Sequence, residues 1–415
     1  MKHIIYLRNY ILITTLTFIC FGCGKKDNPD PSNSNSNNNP STTQPLVIDN
    51  SFSSISGSCF AAALQPDGKL VIAGGFGSAG NYPYKVYRLN QNGGIDNSFN
   101  IDVDKTWVIN NFSAMAILND GKIMLGGDFT INGTRKILVR LTATGALDNG
   151  FTSPNFNKIS NILPTIRKII VVGSDRVLIE GQFNTLITAG TDYNHLIKIT
   201  YNGLLDPSFR LNVLTTSFLN DLLPLSDGKF YVTGTFYWGS GVTARQYIAK
   251  LNTDGSVDAS FNFKETLTGR LGPAIGSINT VALQSDGKIV IGGDFIGIVN
   301  SAIRDGAYNY IQVARLNTDG SIDFNFSTSE FYNSAINSIA ILPDNRILAG
   351  RGFNLNGSGD GYARLYSNNG VIDKTFNLGF PNSGVTQVIK QSDDKYILTG
   401  SFTDPAGRAV IRITK

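Results

Sequence analysis

The chain has 415 residues, 41% of them hydrophobic and 10% aromatic, with only 16% charged; that balance supplies a buried core and excludes an extended disordered chain. Of the 31 acidic residues three are Glu (Glu180, Glu265 and Glu330), leaving 28 Asp, and Asp favours turns where Glu favours helices; with 44 Gly dispersed as turn punctuation, this predicts an all-β protein. The formal charge of +4 comes from Lys and Arg spread over repeating strand positions rather than gathered in one run, which argues against a nucleic-acid groove.

At the N-terminus, Lys2 and Arg8 precede an apolar stretch, 10–21, that is too short to span a bilayer but the right size for the apolar segment of an export signal. Gly22 and Cys23 follow, and the whole resembles a bacterial lipoprotein signal, with Cys20 standing where Leu is usual. The resemblance implies cleavage after residue 22, acylation of Cys23, and a lipid-anchored protein of the bacterial cell envelope, with the outer membrane as the expected site. Residues 23–45, rich in Ser, Asn and Pro, are expected to form a polar tether that cannot bury a core. With Cys23 acylated, Cys59 is the remaining thiol, so no intrachain disulfide is expected.

From residue 46 onward an Asp is followed three residues later by a Phe seven times: Asp49/Phe52, Asp96/Phe99, Asp148/Phe151, Asp206/Phe209, Asp258/Phe261, Asp323/Phe326 and Asp373/Phe376. A period of about 50 residues is that of one four-stranded propeller blade. Two further registers keep step: a Gly-x-Phe at Gly74, Gly127, Gly181, Gly234, Gly293 and Gly400, expanded by one residue at Gly350 to Phe353, and a basic residue at Arg88, Arg140, Lys198, Lys250, Arg315, Arg364 and Arg412. In the fifth unit the predicted strands are Asn279–Leu283, Lys288–Phe295, Val313–Asn317 and Ile322–Phe326, with hairpin turns at Asp286-Gly287 and Asp319-Gly320. The first Asp-x-x-Phe has no three strands before it, and the last unit ends without one. The expected fold is therefore a seven-bladed β-propeller over 46–415, closed by pairing of Leu46–Phe52 with the blade formed by Val385–Thr414.

The block LQSDGKIVIGGDF … ARLNTDGSIDFNF, Leu283 to Phe326, resembles the delta-60 repeat, a bacterial β-propeller family of unknown function common in secreted and lipid-anchored proteins. The resemblance extends over Leu46 to Lys415. It implies the fold and carries almost no information on activity, because the family's recurring residues are those of the blade itself.

No catalytic or cofactor motif survives inspection. Gly126-Gly127-Asp128-Phe129 recurs in degraded form in every unit and reads as packing; Gly75 to Gly80 has no helix after it to cradle a phosphate. Asn252 to Asp258 resembles half a calcium loop, but Lys250 falls on the first ligand position and Phe261 where a bidentate Glu belongs, so a tight turn with Asp side chains on backbone N–H groups is expected. His195 is the one His beyond the leader, which excludes a multi-His zinc site, and no G-x-S-x-G accompanies it. No metal or cofactor is expected.

The turns between first and second and between third and fourth strands are short; the other connections vary, the longest being Thr266–Ile278 and Gly297–Tyr310. Function is expected on that long-loop face. Candidate ligand-binding residues there are Tyr82, Tyr84, Trp107, Tyr193, Tyr237, Trp238, Tyr308 and Tyr310, since Trp and Tyr combine apolar area with a polar handle suited to protein hot spots and sugar rings. The favoured expectation is a monomeric, non-enzymatic domain that binds a glycan or a cell-surface protein. The competing expectation is a hydrolase or lyase using loop carboxylates or His195.

Overall fold

The computed structural model describes residues 45–77, 82–101, 107–159, 161–187, 191–211, 218–236, 246–269, 272–273, 276–295, 297–299, 312–326, 328, 334–352, 362–379, 383–391, 394–402 and 407–415. Every element named among them is a β-strand, and all pairings are antiparallel. Seven sheets follow one another along the described chain. They are built from Gly57–Leu64, Leu70–Phe76 and Tyr84–Leu89; Trp107–Ile117, Ile123–Ile131 and Thr134–Leu141; Thr165–Val172, Arg176–Ile187 and Thr191–Thr200; Phe218–Pro224, Phe230–Phe236 and Gln246–Leu251; Ser277–Leu283, Ile289–Asp294 and Val313–Leu316; Ile336–Ile341, Ile347–Arg351 and Ala363–Tyr366; and Gly384–Lys390, Tyr396–Ser401 and Val410–Thr414. The first strands of successive sheets pack on one another, and the first strand of the seventh sheet also packs on that of the first.

The expected fourth strand is corrected by the structure. In place of a strand over Ile322–Phe326 there is a single bridge, Leu316 to Ile322, after which Phe326 N–H donates to the Asp323 carbonyl. The same bridge-and-turn recurs at Ile95, Leu147, Leu205, Val257 and Ile372. Asp-x-x-Phe is therefore a turn, and a turn cannot extend a ladder. The N-terminal segment behaves identically: only Val47–Ile48 pairs, with Thr414 and Ile413, and Asp49–Phe52 is the turn that follows.

What the Asp does explains its recurrence. One carboxylate oxygen of Asp323 accepts from Arg315 Nε and Lys288 Nζ, both at 2.7 Å, while the other accepts the Asn325 N–H at 3.0 Å. Two roles, turn cap and partner of the basic third-strand residue, thus coincide on one side chain. Ion pairs of the same kind join Asp49 to Arg412, Asp96 to Arg88 and Lys69, Asp148 to Arg140, Asp206 to Lys198, and Asp258 to Lys229. The guanidinium carbon lies 4.6–5.3 Å from the Phe ring of the same motif in four units, so the Arg is held between carboxylate and aromatic face.

The apolar core is divided rather than single. Seven clusters each draw on two neighbouring sheets, including one that joins Cys59, Ile72 and Phe76 of the first sheet to Ile397 and Val410 of the seventh. Phe76, Phe129, Phe183, Phe236 and Phe295 of Gly-x-Phe all sit in such clusters.

Each first strand carries a β-bulge at an equivalent place, with Phe60, Ser113, Arg167, Asn220, Asn279, Asn337 and Thr386 as the extra residue. The bulge accounts for the glycine of Gly-x-Phe: a Cβ on Gly74, Gly181, Gly293 or Gly400 would lie 2.0 Å from a first-strand carbonyl oxygen. In the sixth sheet the register places Arg351 at this position and Gly350 one residue before it, so the expected one-residue expansion is corrected to a replacement of the motif glycine by Arg351.

The extra residues then reach sideways. Asn220 donates to the Ile278 carbonyl at 2.9 Å, Asn279 to Ile336 at 3.2 Å, Asn337 to Val385 at 3.3 Å and Thr386 to Cys59 at 3.0 Å, with Arg167 to Leu219 at 3.4 Å completing a belt of side-chain-to-backbone bonds from sheet to sheet. The two longest predicted loops contribute an accessory sheet of Thr266–Gly269, Gly272–Pro273 and Gly297–Val299, in which Leu267 is fully buried.

Candidate functional site

The second-to-third-strand connection of the first sheet brings Tyr82 and Tyr84 back over the start of its first strand. Tyr82 is 49% and Tyr84 39% exposed, and with Ser58, Phe60 and Gly75 they line a pocket of about 210 Å³. Gly75 is a requirement of that geometry, since a Cβ there would lie 3.1 Å from the Tyr82 carbonyl oxygen and 3.3 Å from its Cβ. The Phe60 ring stands 6.0 Å from that of Tyr84, and Tyr84 meets Phe112 edge-on at 6.1 Å. Phe112 continues to Phe129 at 5.9 Å, and Phe129 to Trp107 at 6.3 Å. Trp107 is partly buried against this core, so it supports the aromatic wall from behind. The pocket's lining is mixed, three aromatic residues with Ser58 and Gly75, and its size suits one small ring.

Of the other expected ligand-binding residues, Tyr193 lies on the strand Thr191–Thr200, but its side chain, like all of Tyr237, Trp238, Tyr308 and Tyr310, falls outside the described residues. Cys23 lies outside them as well. The member that sequence reasoning missed is Phe60. Its signal was available: the extra bulge residue is polar or charged in the other six units and aromatic here.

His195 sits within a strand in the left-handed region at φ 65, 6% exposed, with Nδ1 3.3 Å from the Gly181 carbonyl oxygen. Burial lowers its pKa, and the nearby Arg167 lowers it further against the Gly181 hydrogen bond. Close by, Lys168 and Glu180 face each other across two strands, and the Lys168 ammonium is paired with Asp221 of the fourth sheet. Asp221 also accepts the backbone N–H groups of Leu222 at 2.8 Å and Val281 at 3.0 Å, linking three sheets through one carboxylate. Burial pushes Glu180 up to about 8 despite the attraction of Arg167 and Lys168, and burial pulls Lys168 below its usual range. Glu180 and Lys168 are each under 3% exposed, so a bound substrate would not touch them in this conformation.

In the half-calcium loop, Asp254 accepts the Ser256 N–H at 2.9 Å and its hydroxyl at 2.7 Å, the expected turn chemistry. Among the described residues no group of three or more His, Cys, Asp or Glu is placed to hold a metal ion. No described helix is long and apolar enough to cross a membrane.

Small antiparallel sheets in series, each packed by its inner strand on the next and six of them ending in the same ion-paired turn, define a β-propeller repeat protein. Residues 65–99, 118–151, 225–261, 284–326 and 342–376 match the family model described as "Domain of unknown function (DUF5122) beta-propeller". Each match runs from a first-to-second-strand turn to the Phe of Asp-x-x-Phe. No curated protein matches the chain. Among solved structures, the chain is similar to the extracellular domain of a protein described as a one component system of B. thetaiotaomicron (11% identity, 89% of this chain, 39% of that chain, TM-score 0.46). It is also similar to PorZ, a surface component of the type-IX secretion system of Porphyromonas gingivalis (12%, 85% and 46%, TM-score 0.42), and to an ulvan lyase of polysaccharide lyase family PL25 (10%, 89% and 93%, TM-score 0.44). The chain thus spans less than half the length of the first two.

Proposed function

We propose that this protein is a lipid-anchored envelope component whose propeller binds a saccharide through the Phe60–Tyr82–Tyr84 pocket on its long-loop face, without catalysing its turnover. The observation that carries the reading is the pair of half-exposed tyrosines over Phe60 in a pocket of about 210 Å³, a stacking surface sized for a sugar ring. The reading has seven blades in a closed ring, the last completed by Val47–Ile48, and it is supported by the pairing of those residues with Ile413 and Thr414 and by the core cluster shared between first and seventh sheets. Anchoring through Cys23 at the outer membrane, with 23–45 as tether, rests on the sequence, as do the roles of Tyr193, Tyr237, Trp238, Tyr308 and Tyr310.

An array of glycans and envelope proteins, probed with the full chain and with Tyr84→Ala, tests the reading. Glycan capture that Tyr84→Ala weakens at least tenfold at unchanged melting temperature is expected. Capture of proteins alone, or glycan capture indifferent to Tyr84, would contradict it, and turnover of a captured glycan would contradict the non-enzymatic part.

A further inference from the structure

The belt of bulge residues changes character at the first sheet. In five units the extra residue donates to the carbonyl of the residue that precedes the bulge in the next sheet: Arg167 to Leu219, Asn220 to Ile278, Asn279 to Ile336, Asn337 to Val385 and Thr386 to Cys59. In the first sheet the extra residue is Phe60, and the corresponding carbonyl of the second sheet is that of Phe112. A phenyl ring has no donor, so Phe60 gives this carbonyl none of the side-chain bonding that its five counterparts receive. Phe60 also lines the Tyr82–Tyr84 pocket, and the Phe112 ring meets Tyr84 edge-on, which places the acceptor beside the proposed stacking surface.

The pocket is also set in an uncharged stretch of chain. Its lining residues, Ser58, Phe60, Gly75, Tyr82 and Tyr84, bring no carboxylate, ammonium or guanidinium. Between residues 50 and 84 the sequence has two charged side chains, Asp67 and Lys69, in the first-to-second-strand turn at the opposite end of the sheet. There Asp67 accepts the Lys69 N–H at 3.0 Å and the Lys69 ammonium pairs with Asp96 at 2.8 Å. Residues 106–119 of the neighbouring sheet carry no charge either. Lys85 follows Tyr84, but strand alternation turns it to the other face, where its ammonium lies 5.9 Å from the centre of the Tyr87 ring. A charged ligand seated in the pocket would lose water without meeting an opposite charge, a cost that a neutral ring does not carry.

We propose that the Phe60 pocket selects an uncharged hexopyranosyl unit, stacked on Phe60 and Tyr84, with one ring hydroxyl donating to the Phe112 carbonyl in place of the belt donor. This rests on the saccharide-binding reading above and names its ligand class. Calorimetric titration of the full chain with matched neutral and C6-oxidised trisaccharides of the gluco, galacto and manno series tests it, since the members of each pair differ only at C6. In the series that binds, the neutral sugar should bind at least about tenfold more tightly than its uronate, with an affinity that salt does not change. Among the monodeoxy forms of that sugar, one should bind the native chain about tenfold more weakly, the loss of one hydrogen bond. Phe60→Asn, which supplies the donor of three other units, should weaken the parent sugar and erase its advantage over that monodeoxy form. A uronate bound as tightly as its neutral partner overturns the neutral selectivity. Native affinity indifferent to every ring hydroxyl, or an advantage that survives Phe60→Asn, overturns the Phe112 bond; both outcomes leave saccharide binding standing. Failure of all the trisaccharides to bind overturns the inference, while the array decides the broader reading independently.

Discussion

The Thr386 hydroxyl donates to the Cys59 carbonyl at 3.0 Å, joining residues 327 positions apart. It is the same bond that Asn220, Asn279 and Asn337 make to their own next sheets, so the chain's last sheet treats its first as its successor. Asp49 and Arg412 repeat the relationship at the periphery, with a 2.8 Å ion pair equivalent to that of Asp96 and Arg88 within one unit.

Thr386→Val keeps the shape and removes the donor, so it should lower stability by about 1 kcal/mol in denaturant unfolding, the usual net value of one hydrogen bond. The same hydroxyl also contacts the Thr399 carbonyl at 3.0 Å and the Thr399 hydroxyl at 2.9 Å, and losing these contacts can only add to that figure. No change in midpoint would contradict the belt.

Removal of the Asp323 side chain leaves Arg315, 5% exposed, without its carboxylate, and Asp323→Ala should cost about 3 kcal/mol, within the range for breaking a buried pair. Denaturant midpoints compared at equal slope measure it. The pH dependence has a definite sign. Burial pushes the Asp323 carboxyl up, but hydrogen bonds from Lys288, Asn325 and Arg315 together hold it below its ordinary value, and Asp258, led by its bond from Lys229, is held down as well. A depressed folded pKa means stability that is present above the unfolded value of about 3.9 and lost as pH falls through the folded one. Acid unfolding should therefore begin below about pH 4, and with Asp323→Ala the loss on acidification should be smaller.

Glu180 has the opposite sign. Its folded pKa near 8 exceeds the unfolded value, so its contribution declines as pH rises from about 4.3 through 8. Glu180→Gln, which mimics the protonated carboxyl, should become progressively more stable than the native chain between pH 6 and 9. Parallel melting curves across that range would refute the assignment.

Gly293→Ala places a Cβ 2.0 Å from the Ser277 carbonyl oxygen, a backbone atom that cannot swing away. Such overpacking should cost at least about 2 kcal/mol. An alanine tolerated within about 0.5 kcal/mol in thermal or denaturant unfolding would remove the bulge as the reason for Gly-x-Phe.

The Cys59 thiol is fully buried, and burial pushes its pKa up to about 12. It should not react with a thiol reagent at pH 8 in the native protein and should react at once in denaturant. Rapid native labelling would mean that the seam between first and seventh sheets opens readily.

The blade was legible in the sequence because one structural unit is written seven times, and Asp-x-x-Phe, Gly-x-Phe and the third-strand base each report a contact made in nearly every copy. The fourth strand was overread, since an apolar residue before Asp-x-x-Phe looks like strand while the Asp carboxylate turns the chain after one bridge. The bulge escaped because it inserts one residue into a two-residue period; its trace was the doubled polar pair Asn279-Thr280 or Asn337-Ser338 between apolar neighbours. Tyr82 and Tyr84 were visible as aromatics, whereas Phe60 was hidden as an ordinary strand residue and Trp107 proved half-buried. Of each such residue only the neighbouring sheet decides the exposure, and a linear pattern does not contain it.

The central claim is that the two ends of the folded domain share one sheet and thereby seal seven blades into a ring. Val47 and Thr414 are register partners in that sheet, and paired antiparallel strands bring Cα atoms within disulfide reach. Val47→Cys/Thr414→Cys, oxidised and mapped by peptide mass under non-reducing conditions, should give the 47–414 link in nearly all molecules and raise the melting temperature relative to the reduced form. Free thiols at both positions, or a link that leaves the melting temperature unchanged, would contradict the closed ring.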